Sequence, residues 1–356
     1  MDRLKSKLEK IGRNPKTTAK AVGLRYSINI NIGFYRVRKG EAFIYTDENK
    51  KVIRDKQILE RITKLVLPPA WEKVWISPYE NGHLQATGID AKGRKQYRYH
   101  SQWNKIRNQS KFYKLRSFAK ALPAIRTQVD IDLNKKGLPY EKVVALVVKL
   151  IELTNIRIGN DAYKKLYGSF GLTTLQDKHV KFQSNKIYFE FVGKKGIKHR
   201  ISLESVKLAK LVKRCKDIPG QDLFQYYDDA GNHRCVSSSD INNYLKNITG
   251  EDFTAKDFRC WAGSVNALGA FQKLTQPETE REFKHKVIEV LDEVASKLGN
   301  TRTVCKKYYV HPTVIAAFEK GTIWKYKPKT IPSELNEEEY ALVILLENET
   351  IAEVLG

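Results

Sequence analysis

The spacing of hydrophobic positions along this 356-residue chain changes character part-way along. From residue 25 to about 105 they fall in short β-type runs, at 42–45, 73–76 and 97–99. Turn-formers at Asp47-Glu48-Asn49, Asn81-Gly82 and Gly93 separate the runs. One helix is predicted among them, at 55–66, stopped by Pro68-Pro69. Beyond Trp103 the period becomes helical, with helices predicted at 113–122 and 140–153, the second placing Val143, Val147, Leu150 and Ile151 on one face. A β excursion interrupts at 180–204. There Ile197, His199, Ile201 and Leu203 alternate with Lys198, Arg200 and Ser202 after a Gly193-Lys194-Lys195-Gly196 turn, which predicts a hairpin with a basic tip. A last helix is predicted from Asn336, with Glu339 at capping-box spacing, through Leu342, Leu345 and Leu346.

These elements predict an α+β chain of two domains. A small β-rich domain spans 25–106 and a larger, mainly helical domain carrying the hairpin spans 107–328. Residues 1–24 are a basic extension, either a short helix or an arm, and 329–356 are an acidic helix and tail.

Charge narrows the partners. Sixty-four Lys and Arg against 40 Asp and Glu leave +24, far beyond what solubility requires, so a polyanion is the expected partner. The last 26 residues hold seven Glu and no Lys or Arg, so residues 1–330 carry +31. The longest apolar runs, at 143–148 and 341–346, fall far short of the roughly 20 residues that span a bilayer, which favours nucleic acid over membrane. The polar N-terminus has no apolar segment of a secretory signal. Cys215, Cys235, Cys260 and Cys305 are widely spaced and form no CxxC pair. That argues against a disulfide framework and a structural zinc site, and fits a reducing cytoplasm.

No phosphate-binding GxxxxGK[ST] loop, HExxH or clustered carboxylate set is present, so cutting a phosphodiester would have to proceed without nucleotide or metal. Such a cut needs a protein nucleophile, cations around the non-bridging oxygens and a proton donor for the departing sugar oxygen. Arg157, just past an apolar helix, offers a fork of donors; Lys194, at the hairpin tip, offers a flexible ammonium; Lys256 and Arg259 can point outward from the first turn of one helix. Tyr308 and Tyr309 follow Lys306-Lys307, cations able to lower a phenol pKa. Singly, each has a plainer reading: a capping arginine, a solvated turn lysine, a helix-start arginine, and tyrosines that fill a core.

Taken together, the segments resemble a known family. Leu67-Pro68-Pro69-Ala70-Trp71, followed by the run from Ala86-Thr87-Gly88-Ile89-Asp90 to Tyr97-Arg98-Tyr99-His100, resembles the N-terminal domain of the bacterial and poxvirus-like type IB DNA topoisomerases. Arg157-Ile158-Gly159, Phe191-Val192-Gly193-Lys194, Lys256-Asp257-Phe258-Arg259, Leu298-Gly299-Asn300-Thr301 and Tyr309-Val310-His311-Pro312 follow in the family's order, so the resemblance covers roughly residues 25–315. It implies that Tyr309 is the nucleophile, forming a 3′-phosphotyrosyl bond, with Tyr308 a bystander. It further implies that Arg157 and Arg259 clamp the scissile phosphate, that Lys194 is the general acid and that Lys256 is a secondary member of the proton path. Asn300 stands where many relatives have His, so it can donate a hydrogen bond but cannot relay a proton.

The implied partner is duplex DNA, gripped by a monomer that closes as a clamp and acts at the nucleoid without cofactor. Arg94, Lys95, Tyr97, Arg98, Tyr99 and Lys195 are the expected DNA contacts, although tyrosines on a strand serve packing equally well. Two rivals remain at this level. A tyrosine recombinase uses a similar Arg, Lys, Arg and Tyr set, but typically has His where Lys256 stands and lacks the Pro-Pro-Ala-Trp segment. A non-catalytic basic DNA-binding protein needs only the charge and the aromatics.

Overall fold

Five short segments of the N-terminal region form one antiparallel sheet in the order β2-β1-β3-β4-β5: β1 Phe34–Lys39, β2 Ala42–Thr46, β3 Glu72–Ile76, β4 Leu84–Ile89 and β5 Lys95–Tyr99. β1 and β2 are absent or partial in the hydrophobic pattern because their faces are only half buried. β4 is hidden for the opposite reason: Leu84 through Gly88 are all buried, so neither face shows alternation. Helix α2, Lys56–Lys64, starts where the Asp55 carboxylate accepts from the amides of Gln57 and Ile58, and its Ile62 packs with Val74, Ile76 and Ala86 of the sheet. A preceding helix, α1 Pro15–Ala21, is capped by Asn14 and buries Ala19 with Leu24, Trp103 and Ile106.

The computed structural model describes residues 14–27, 32–228, 230–328, 330 and 334–348; positions 1–13 of the expected basic extension and 329, 331–333 and 349–356 of the expected tail lie outside them. The chain divides into two compact units, Met1–Tyr113 and Lys114–Gly356. The architecture is mixed, with small antiparallel sheets and a larger unit that is mostly helical. No helix of the described residues is long and apolar enough to cross a membrane.

The division falls within a long helix, α3, Ser101–Leu133. The hydrophobic spacing predicts a helix over 113–122, whereas this one continues through Pro123. An interior proline costs about 3 kcal/mol. Here the helix runs on because Leu115, Phe118, Leu122, Ile125, Val129 and Leu133 all point into the main core. Each such burial contributes about 1.5–3 kcal/mol, which together outweighs the break.

α4, Tyr140–Thr154, is the central helix of the larger unit. Every residue from Lys142 to Val148 is buried, so the single apolar face read from the sequence is a helix enclosed all round. A short helix, α5 Asp161–Tyr167, follows. The predicted hairpin is then found as the last two strands of a three-stranded antiparallel sheet, β6 Val180–Gln183, β7 Lys186–Val192 and β8 Lys198–Glu204. α6 Val206–Lys216, the two-stranded ribbon of β9 Gln225–Tyr227 and β10 His233–Cys235, and α7 Ser238–Thr249 complete the first half of the unit.

α8 Ala255–Gln272 packs beside α4, α9 Glu280–Leu298 packs against α8, and two short helices follow, α10 Arg302–Tyr308 and α11 Pro312–Glu319. The last helix, α12 Glu337–Glu347, begins as its sequence predicts: the Asn336 side chain accepts from the Glu339 amide, and the Glu339 carboxylate accepts from the Asn336 amide. It is no detached tail, because Ala341, Leu342, Leu345 and Leu346 belong to the main core. Glu339 is buried, accepting from the Arg126 guanidinium at 2.7 Å and from Trp261 Nε1 at 3.0 Å. The four cysteines are free thiols.

Candidate active site

The turn that carries Arg157 is built by Asn155, which ends α4 in the left-handed region at φ +55°, a conformation that asparagine tolerates. The backbone of Arg157-Ile158 is then strapped to a neighbouring turn: the Leu172 amide donates to the Arg157 carbonyl and the Thr173 amide to the Ile158 carbonyl, both at 2.7 Å. Arg157 is half buried. Its Nη2 donates to the Gly299 carbonyl at 3.3 Å and to the Asn300 side-chain oxygen.

Arg259 lies in the second turn of α8, whose start is fixed by a capping box between Thr254 and Asp257. The expectation that it points outward is wrong. It is 3% exposed, and its fork is turned inward, Nη2 donating to the Leu298 carbonyl at 2.7 Å and Nη1 to the Asn155 carbonyl. Those two carbonyls end α9 and α4, so each helix presents the negative end of its dipole to the cation. The Nε donor is buried without a hydrogen-bond partner among the described residues. Burial, opposed by the Tyr309 phenol and assisted by Arg157, holds its pKa below the ordinary arginine value.

Tyr309 caps α10, its amide donating to the Cys305 carbonyl at 3.0 Å. Its ring is half buried, with the Arg259 guanidinium carbon 5.1 Å from the centroid. Of the two lysines just before Tyr308, Lys307 has its Nζ 5.5 Å over the ring of Tyr308. Two residues of α8 that sequence reading passed over fix the backbone of Tyr309. Ser264, fully buried, has its hydroxyl between the Cys260 carbonyl at 3.0 Å and the Tyr309 carbonyl at 3.2 Å, and it accepts from the His311 amide at 3.0 Å. Gly263 lies so close that a Cβ there would stand 2.8 Å from the Tyr309 carbonyl oxygen. His311 is buried, and its Nδ1 accepts from the Thr313 amide, capping α11, so Val310-His311-Pro312 anchors the segment.

Lys194 is exposed in the turn between β7 and β8, where the Gly193 amide donates to the Ile197 carbonyl at 2.8 Å. Lys195 occupies the left-handed region at φ +66° and is also exposed. A cleft of about 260 Å³ gathers Arg157, Lys194, Arg259, Gly299 and His199 on its walls. Asn300 joins through Arg157, and Tyr309 through Arg259. Lys256 is exposed and is not among the residues lining this cleft. Among the described residues, no three His, Cys, Asp or Glu side chains gather to hold a metal ion.

The remaining expected DNA contacts lie in the first unit. β5 is an edge strand on which Lys95, Tyr97 and Arg98 are exposed, while Tyr97 and Tyr99 share a face with rings 5.9 Å apart and nearly parallel. Arg94 is engaged by Asp90, its Nε donating at 2.6 Å, which holds that carboxyl down to about 2.

The sequence matches two family descriptions: the catalytic core of eukaryotic DNA topoisomerase I over residues 100–334, and the N-terminal domain of bacterial DNA topoisomerase IB over residues 42–90. Among individual proteins, it is 32% identical over 287 residues to the DNA topoisomerase 1B of Acanthamoeba polyphaga mimivirus, covering 78% of this chain and 85% of that one. It is 22% identical over 276 residues to the DNA topoisomerase I of monkeypox virus, covering 76% and 82%, and it stands in the same relation to the DNA topoisomerase 1B of vaccinia virus. These matches do not favour the recombinase or the non-catalytic alternative.

Proposed function

The chain belongs to the type IB DNA topoisomerases, and we propose that Tyr309, Arg157, Lys194 and Arg259 are the groups with which it carries out that family's reaction. It is an ATP-independent isomerase that relaxes supercoiled duplex DNA by cutting one strand, letting the duplex rotate and resealing the cut. The Tyr309 phenol oxygen attacks the scissile phosphorus while its proton passes to water. The P–O5′ bond breaks as Lys194 Nζ hands a proton to the leaving oxygen, giving a 3′-phosphotyrosyl link and a free 5′-hydroxyl. Resealing reverses each transfer, and one phosphodiester replaces another, so no nucleotide need be hydrolysed.

Arg157 and Arg259 stabilise the charge gathering on the non-bridging oxygens, the role in which removing a single donor typically costs about 10²–10³ in rate. One observation carries this reading: a buried guanidinium, held by two helix ends, lies against the ring of the one tyrosine that the Val-His-Pro anchor pins in place, beside a cleft that also holds the second arginine and the hairpin lysine. Lys256, at the exposed start of the same helix, supplies protons toward Lys194, and Asn300 orients Arg157.

The reading extends to a two-domain monomer that closes as a clamp on duplex DNA at the nucleoid. The β-rich domain of residues 25–106 faces the duplex with Arg94, Lys95, Tyr97, Arg98 and Tyr99, and the catalytic domain of residues 107–328 adds Lys195. The exposure of the β5 side chains and the charge of +24 support it.

The test is incubation with negatively supercoiled plasmid in EDTA without ATP, then denaturation to trap adducts. Wild type should relax the plasmid and leave protein on DNA 3′ ends, and Tyr309→Phe should do neither. An active Tyr309→Phe variant, or joining of separate sites by wild type, refutes the assignment.

A further inference from the structure

His199 stands in β8 directly opposite Phe191 of β7, and its imidazole stacks on that ring, centroids 5.0 Å apart and planes 21° from parallel. Its two edges abut glycines. A Cβ on Gly193 would stand 2.7 Å from Cδ2 and Nε2, and one on Gly299 would collide with Cε1. Gly193 immediately precedes Lys194, and Gly299 immediately precedes Asn300, its carbonyl accepting from Arg157. The imidazole is therefore clasped where the lysine hairpin meets the arginine turn, on the wall of the cleft that holds Arg157, Lys194 and Arg259. Neither ring nitrogen has a hydrogen-bond partner among the described residues, and neither is sealed from solvent.

The side chain at 300, where an imidazole would sit in many relatives, is partly engaged within the protein, with one of its two amide N–H donors in use. Its oxygen accepts from Arg157, and its nitrogen donates to the Leu298 carbonyl at 3.3 Å. We propose that His199 is a further catalytic residue, its ring N–H donating to a non-bridging oxygen of the scissile phosphate as a neutral donor in addition to the remaining Asn300 N–H. The proposal rests on the reading of the cleft as the phosphate site. Burial first, then Arg157 and Arg259, push the His199 pKa below its ordinary 6.5. At neutral pH the ring thus carries one N–H donor and no charge. A neutral donor stabilises the charge that develops without adding a fourth cation to a site that already holds two guanidiniums and the Lys194 ammonium.

Single-turnover cleavage of a short duplex, whose downstream fragment diffuses away so that the adduct accumulates, tests this with His199→Phe, His199→Gln and Tyr309→Phe. Each is assayed on a normal scissile phosphate and on one with 5′-bridging sulfur, a leaving group that needs no proton. Melting temperature and duplex binding are measured alongside, and His199→Met serves as a second variant without a donor if the phenyl ring harms folding. The expected result is about a 100-fold slowing by His199→Phe on both substrates with binding unchanged, and recovery of most of that loss by His199→Gln, which keeps a donor. Three outcomes overturn it: His199→Phe cleaving at the wild-type rate, His199→Gln as slow as His199→Phe in a folded protein, or a His199→Phe defect that vanishes with sulfur. The last would mean that the ring only positions Lys194. An adduct formed by Tyr309→Phe would instead remove the underlying reading of the cleft.

Discussion

Replacing Gly263 by alanine sets two opposed effects against each other on a single methyl group. In the middle of a helix such as α8, Gly→Ala ordinarily stabilises by about 1 kcal/mol. Here the added Cβ would stand 2.8 Å from the Tyr309 carbonyl oxygen, 3.1 Å from its Cβ and 3.2 Å from its carbonyl carbon. These are backbone or near-backbone atoms, which cannot rotate aside, and overpacking of this kind costs about 1–3 kcal/mol. Stability should therefore change little or fall by up to about 2 kcal/mol. Catalysis should suffer more. Restoring an ordinary contact of 3.4 Å requires the Tyr309 backbone to withdraw by about 0.6 Å, against the bonds that tie it and His311 to Ser264. A 1 Å misplacement of a reacting group can cost about 10²-fold, so single-turnover cleavage should slow by roughly 10–100-fold with duplex binding intact. Gly269→Ala is the control: on the same helix its Cβ would meet only the flexible Glu338 side chain, so both cleavage and stability should be preserved or improved. Wild-type cleavage by Gly263→Ala, or equal slowing by both variants, would show that Tyr309 is not held for reaction through this contact.

The other predictions concern charge. Arg259→Lys keeps a cation but cannot reach both the Asn155 and Leu298 carbonyls; it should cut cleavage by at least about 100-fold in the adduct assay and lower stability by about 1–3 kcal/mol in chemical denaturation. Glu339→Ala strands the Trp261 indole N–H and leaves Arg126 with Glu152 as its remaining carboxylate, a loss of about 1–3 kcal/mol visible in calorimetry, and an unchanged Tm would contradict the packing of α12. Burial alone would raise the Glu339 carboxyl, but donors from Arg126, Trp261 and the Asn336 amide outweigh it and hold the pKa below the ordinary 4.5. Its contribution is therefore complete above 4.5 and fades as the pH falls through the lower folded value; a melting temperature that drops in acid for wild type but less steeply for Glu339→Gln checks the sign. The acidic residues of α12 oppose DNA binding, and because the helix carries core residues they are tested by Glu337→Gln/Glu347→Gln, with tighter duplex binding at low salt as the expected result.

Local grammar was legible in the residues themselves. Asn336 with Glu339 wrote the start of α12, the alternation after Gly196 wrote β8, and Asp55 wrote the start of α2, because caps and pleats depend on neighbours within a few positions. The order of the Arg157, Lys194, Arg259 and Tyr309 segments carried the family and with it the chemistry. Side-chain direction and company were not legible. Arg259 reaches a carbonyl 104 residues away and Arg157 an amide 143 residues away, and no periodicity records such pairings. The same holds for α3 continuing through Pro123, for β4 with both faces buried, for Ser264 and Gly263 as the seat of Tyr309, and for His199, which the sequence offered only as one more inward position on a strand. Its place in the cleft exists because two glycines from distant segments leave room for a ring. The chain by itself determined which groups are present and which helices and strands carry them; close packing between segments far apart in sequence decided which of those groups meet, since burial and hydrogen bonding act on distance in space.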